Sequence, residues 1–251
     1  MKKADWISTR LETLYRFDLS AASVLGGREV LIAGCDEAGR GALAGPACVA
    51  CVSIDLTNKE AINDLLGVDD SKRLTPKKRA ELFEKIKRVA AVGVGWTPPS
   101  EIDRIGIVPA LRNATRRAYS ALSVNANVIL LDRGLSLSSD LEIERLNKLK
   151  INQLRNSKIG LSSLHPSDSI ITQSLNPLIS KSLTRGDSCS LHIAAASIIA
   201  KVTRDRLMEQ LDRVIPGYGF SQHKGYGTAS HRIAIINRGR SPIHRASFKV
   251  K

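Results

Sequence analysis

Apolar positions along this chain fall at helical spacing in some stretches and in unbroken, strand-like runs in others, and the two patterns alternate. Trp6, Ile7, Leu11, Leu14 and Tyr15 share one side of an opening helix that leads to Gly26-Gly27. The run 29–35 predicts a first strand, Gly39-Arg40-Gly41 a turn, and the run 47–54 a second strand. Thr75 before Pro76 predicts a helix start, since Thr can cap and Pro suits the first turn. Leu82, Phe83, Ile86, Val89 and Ala90 then supply that helix's apolar stripe. A third strand over 91–96 stops at Pro98-Pro99, a helix follows over about 108–122, and another strand over 127–131. The polar, Ser- and Leu-rich stretch 135–175 contains a charged helical pattern at 141–154 and a loop-like one at 157–169. Strand pattern resumes at 178–183, so this stretch reads as an insertion within the domain rather than a linker. Helices over 191–214 and 229–238 close the chain. There is no internal repeat, and the alternation predicts an α/β fold.

At 251 residues the chain suits one large α/β domain or two small ones. We read a single domain over 1–251, with 1–28 a helical extension, 135–175 the insertion and 205–251 a C-terminal helical portion. A hydrophobic content of 43% supports a buried core and excludes a wholly disordered chain. The longest uncharged stretches, 42–54 and 191–200, fall short of the ~20 apolar residues a membrane helix needs. With no secretory core at the N-terminus, a cytoplasmic protein is expected. Lys and Arg total 38 against 24 acids, a net charge of +14. Such an excess favours a polyanionic partner through counterion release, although a solvated basic surface carries the same charge. Cys48 and Cys51 match C-x-x-C, but no second pair completes a zinc site. Residues three apart on a strand face opposite ways, so these read as core thiols.

Carboxylates stand where apolar strands stop. Asp36-Glu37 ends the first strand, Asp132 ends the 127–131 strand, and Asp187 follows 178–183 after a glycine. Strand ends in open α/β sheets are where active sites collect, and gathered acids call for a hard divalent cation. Two such ions activate a water and stabilise the leaving oxygen of a phosphodiester. Each of Asp36, Asp132 and Asp187 alone also fits an Asx-turn; the adjacent Asp36-Glu37 pair fits that reading poorly. The glycine-rich turn 39–45 is followed by Pro46 and a strand-like run rather than a helix, which argues against a dinucleotide site. No P-loop motif is present. Small residues there let a sugar approach the backbone. Near the C-terminus, Tyr218, Phe220 and Tyr226 lie among His223, Lys224 and glycines, a mixture suited to stacking on a sugar or base or, for Phe220 above all, to docking on the core.

These residues resemble the bacterial ribonuclease HII family. The similarity is carried by Gly34-Cys35-Asp36-Glu37-Ala38-Gly39-Arg40-Gly41 through Pro46, Asp70-Ser71-Lys72-Arg73-Leu74, and Arg185-Gly186-Asp187 with 193–205. It continues in His223-Lys224-Gly225-Tyr226-Gly227-Thr228 and His244-Arg245 through Phe248. The resemblance implies an RNase H-like fold, a central mixed β-sheet flanked by helices. It implies Mg²⁺- or Mn²⁺-dependent cleavage of the RNA strand of RNA–DNA hybrids and of single ribonucleotides in duplex DNA. By position it implies Asp36, Glu37, Asp132 and Asp187 as metal ligands and Gly39, Arg40 and Gly41 as readers of the 2′-hydroxyl. Tyr226 would pack on the deoxyribose 3′ of the ribonucleotide, and Lys72 and Lys201 would meet phosphates. Asp205 is expected in an ion pair rather than at the metal. Two features depart from the family: Arg133 stands between Asp132 and Gly134, and the stretch from Asp132 to Asp187 is long. Asp140 and Asp168 are therefore alternatives for the third acid, and a hybrid-binding module with impaired metal geometry is the alternative function. A general nucleic-acid binder would leave the strand-end acids unexplained. Ribonuclease HIII, the sister family, would need a large N-terminal domain and a Glu as fourth acid, neither seen here. The partners implied are RNA–DNA hybrid and ribonucleotide-containing duplex, bound by a monomer. No C-terminal recruitment peptide is expected, and recruitment by a sliding clamp stays open.

Overall fold

The computed structural model describes residues 3–25, 30–126, 128–137 and 179–250. Most of the 135–175 insertion lies outside them, with Asp140, Asp168 and the helix and loop expected there. Among the described residues five strands form one mixed sheet: β1 (Ile32–Ala38), β2 (Ala47–Ile54), β3 (Ala90–Thr97), β4 (Val128–Asp132) and β5 (Ile179–Leu183), in the order β3-β2-β1-β4-β5. β1 pairs antiparallel with β2 and parallel with β4, and β4 pairs parallel with β5.

The sheet is filled from both faces because β2 alternates. Cys48, Ala50, Val52 and Ile54 meet α3 (Pro76–Val89), through Leu82, Phe83 and Ile86, and α6 (Leu191–Val214). Ala47, Val49 and Cys51 meet Ala110, Leu111, Ala114 and Ala118 of α5 (Ile107–Ser120). The two cysteines thus face opposite layers, as the strand period requires, and all four cysteines are free. α1 (Lys3–Leu25) is tied on by the buried pair Asp18–His192 (Oδ2 to Nδ1 2.6 Å) and by Tyr15 Oη on the Leu56 carbonyl (3.0 Å). Among the described residues no helix is long and apolar enough to cross a membrane.

Helix starts follow their caps: Thr75, Ser190 and Thr228 each accept a backbone N–H in the first turn of α3, α6 and α8 (Ala229–Arg238). Two short helices escape the periodicity. α2 (Lys59–Asp64) is capped by Asn58, and α4 (Pro99–Ile105) starts at the proline pair expected only to end a strand. A seven-residue helix is too short to show a stripe. A four-residue turn of helix, α7 (Phe220–His223), precedes Tyr226. The first strand also differs from expectation. It runs to Ala38, so Asp36 and Glu37 stand inside the ladder, opposite Ala50 and Val49. Pairing with β2 carries the strand through the charged residues that end its apolar run.

α6 crosses β1 so closely that a Cβ on Gly34 would lie 2.4 Å from the His192 carbonyl carbon and the Ile193 nitrogen. Because the obstruction is backbone, Gly34→Ala must push the helix off the sheet. An overpacking loss of about 2 kcal/mol is expected, read as a lower urea midpoint; an unchanged midpoint would refute this close contact.

Candidate active site

The parallel register sets Cys35 level with Leu131, so the next residues, Asp36 and Asp132, become neighbours. Asp36, Glu37 and Asp132 each offer a carboxylate oxygen, and these atoms lie within 4.8 Å of one another. Asp36 Oδ1 accepts from the Glu37 N–H (2.7 Å). Arg40 Nε donates to Glu37 Oε1 (2.8 Å) while its Nη2 donates to the Gly134 carbonyl (2.7 Å), strapping the second acid to the turn after the third. Despite Arg133, Asp132 therefore stays with the other two. Asp132 Oδ1 accepts from the Gly186 N–H (2.8 Å), which draws the 3₁₀ turn Gly186–Ser188 against the end of β4. Asp187, in that turn, is buried, with Lys72 Nζ 3.5 Å from its Oδ2. It lies outside the group of three acids whose oxygens are within 4.8 Å of one another, and its charge acts on Asp36 as that of Asp132 acts on it.

Burial pushes the Asp36 carboxyl well above the usual range, and the charges of Glu37, Asp132 and Asp187 add to this. Burial also raises Glu37, against the opposing pull of Arg40. Asp187 is raised by burial, then by Asp70 and Asp132, against Lys72. Glu37 Oε2 is buried and has no hydrogen-bond partner among the described residues. An all-oxygen donor set with an unused buried oxygen fits a hard divalent cation such as Mg²⁺ or Mn²⁺.

Beside the acids, the glycine turn is held from beneath by two fully buried arginines. Arg204 donates to the carbonyls of Pro46 (2.9 Å), Ala44 (3.2 Å) and Lys224 (2.8 Å). Arg245 donates to those of Gly39 (2.7 Å), Arg40 (2.8 Å) and Gly45 (2.9 Å). Burial lowers the pKa of Arg204, and burial with the charge of Arg204 brings Arg245 down to about 10. Both remain cations at neutral pH, each solvated by backbone dipoles. The glycines differ in what demands them. Gly39 has φ +89° and sits where a Cβ would strike Arg204 at 2.0 Å. Around Gly41 a Cβ would meet nothing within 4 Å among the described residues.

Tyr226 is half-buried, with Lys201 Nζ 5.8 Å and Arg204 Cζ 5.4 Å from its ring centroid. Lys201 also pairs with Asp205 (2.9 Å), which places Asp205 in an ion pair, as expected of it. Phe220 is fully buried, joined by His223, His231 and His244 in one ring cluster. Sequence reading missed Arg204, Arg245 and this histidine cluster as supports of the site. Their only signal was membership in the motifs around 204, 223 and 244, since the partners lie far apart in the chain.

Carboxylates assembled across parallel strands of a mixed sheet, with an open glycine turn alongside on a strongly basic chain, define a metal-dependent nuclease of the RNase H-like class. The family profile for ribonuclease HII matches residues 33–251. Ribonuclease HII of Geobacter sulfurreducens is 42% identical over 219 residues, 87% of this chain and 82% of that protein. Its counterpart in Geobacillus kaustophilus is 41% identical over 245 residues, 96% of this chain and 76% of that one. The crystal structure of ribonuclease H2 from Pyrococcus horikoshii matches at TM-score 0.61 and 27% identity, covering 88% of this chain and 95% of that one. The chain belongs to the ribonuclease HII family and is a metal-dependent endoribonuclease.

The buried histidines make a stability prediction. Burial, and next the charge of His231, bring His244 down to about 4, and burial lowers His231. In the unfolded chain both titrate near 6.5. Below that pH the unfolded chain takes up protons that the fold refuses, so their contribution is full above pH 6.5 and lost as pH falls toward about 4. Urea unfolding between pH 7.5 and 5 should show this loss, and His244→Gln should flatten it. An unchanged slope in the variant would contradict the assignment.

Proposed function

We propose that this ribonuclease cuts the RNA strand of RNA–DNA hybrids, and nicks duplex DNA 5′ of single ribonucleotides, at the Asp36–Glu37–Asp132 cluster, with Asp187 as fourth acid. The convergence of three carboxylates, one of them with a buried oxygen unpartnered among the described residues, carries this reading. Two divalent ions, when bound, supply the charge that activates a water and stabilises the leaving oxygen. The four acids would hold Mg²⁺ or Mn²⁺, and products would carry 5′-phosphate and 3′-hydroxyl ends.

The chain's own groups do the selecting. Arg40 is occupied by Glu37 and the Gly134 carbonyl, so its side chain orients acids while the turn's backbone faces the sugar. The open space at Gly41 admits a ribose, whose 2′-hydroxyl distinguishes RNA from DNA. Tyr226 packs on the deoxyribose 3′ of that ribonucleotide. Lys72, largely exposed beside Asp187, and Lys201, between Asp205 and the Tyr226 ring, meet backbone phosphates.

A duplex with one embedded ribonucleotide tests this directly. With Mg²⁺ a single nick 5′ of the ribonucleotide is expected, abolished by EDTA and by Asp36→Asn. Retardation of the duplex without cleavage would overturn the reading in favour of a binding module. Tyr226→Ala should slow cleavage at single ribonucleotides more than on continuous hybrids; equal slowing would remove Tyr226 from the junction.

A further inference from the structure

Tyr226 reaches its place through its backbone, and that backbone is held by histidines no part of the proposed chemistry uses. Its carbonyl lies 2.9 Å from His231 Nδ1, and His231 Nε2 lies 3.0 Å from His244 Nε2. The Ser241 N–H donates to His244 Nδ1 (2.9 Å). A backbone N–H can only donate and a carbonyl can only accept, so the ends of this chain fix every proton in it. His244 Nδ1 is bare, its Nε2–H donates to His231 Nε2, and the His231 Nδ1–H donates to the Tyr226 carbonyl.

Rings brace the relay. His223 stacks on His231 with centroids 4.2 Å apart, and Phe220 meets His231 edge-on at 5.6 Å. His223 is fixed in the same way, accepting the Gly225 N–H at Nδ1 (3.2 Å) and donating from Nε2 to the Tyr218 carbonyl (2.7 Å). Burial keeps His231 and His244 neutral at neutral pH, the only charge state this polarity allows. The Gly225 carbonyl next to Tyr226 accepts from the N–H groups of Leu43 (2.8 Å) and Ala44 (3.2 Å). Arg204 spans the Ala44 and Lys224 carbonyls. The tyrosine loop and the glycine turn are therefore tied together by backbone hydrogen bonds and by Arg204.

We propose that His244 and His231 form a one-way hydrogen-bond relay that fixes Tyr226 at the spacing from the glycine turn that one ribose-to-deoxyribose step demands. Both are positioning residues for junction selectivity. This rests on the reading of Tyr226 and the glycine turn given above.

The readout is kcat/KM on a single-ribonucleotide duplex divided by kcat/KM on a continuous hybrid. It is measured for the wild type, His231→Leu, His231→Asn, Tyr226→Ala and the Tyr226→Ala/His231→Leu double variant. His231→Leu should lower this ratio about tenfold. His231→Asn, whose amide N–H replaces Nδ1–H, should restore it to within about threefold. In the Tyr226→Ala background His231→Leu should change the ratio less than about twofold, because the relay acts through the ring. Equal losses on both substrates, or an undiminished effect without the ring, would overturn the relay. If thermal melting shows that His231→Leu does not fold, His244→Gln, which keeps a donor at Nε2, against His244→Met poses the same question at the outer end. A wild type that cleaves neither substrate would overturn the functional reading and the relay with it. An active wild type with indifferent variants overturns the relay alone.

Discussion

Mutual repulsion among carboxylates held out of water is the constraint on which the rest of this structure depends. Two unit charges 4 Å apart repel by about 4 kcal/mol at an effective dielectric constant near 20, and here three acids crowd together with a fourth beside them. Arg40 offsets part of this at Glu37, and Lys72 part at Asp187. The Asp36 carboxyl stays well above the usual range, raised first by burial and then by the charges of Glu37, Asp132 and Asp187. A strand ladder that forces such neighbours on one another has to be stabilised elsewhere. The close seat of α6 on Gly34 and the two apolar layers around β2 do that.

The substrate-facing loops follow the same logic with the sign reversed. Arg204 and Arg245 are cations buried under the glycine turn, satisfied by carbonyls rather than carboxylates. Gathering the carbonyls inward braces the turn, and among the described residues nothing lies within 4 Å of where a side chain at Gly41 would begin. Cleavage chemistry and sugar recognition then sit side by side. They meet at Arg40, whose side chain holds Glu37 and whose carbonyl is held by Arg245.

Much of this was legible in the sequence, for identifiable reasons. The start of α3 was marked by Thr75 as a cap before Pro76, and β2 by a strand-like, largely apolar run. The acids were visible as charges abutting apolar strands. What escaped were features set by partners rather than neighbours: β1 continues past its apolar run because β2 pairs with it, and α2 and α4 are too short to show a period. The histidine cluster joins residues 223, 231 and 244 through ring contacts that no spacing rule anticipates. Arg133, which put Asp132 in question, is exposed, and the turn it lengthens is recaptured by the bond from Arg40 to the Gly134 carbonyl.

Binding of Mn²⁺, followed by loss of the free-ion paramagnetic signal on titration with protein, tests the convergence of acids without any substrate. Saturable binding by the wild type, weakened at least about tenfold by Asp132→Asn, is the expected result. A variant that binds Mn²⁺ as well as the wild type, or a wild type with no saturable binding, would contradict the site.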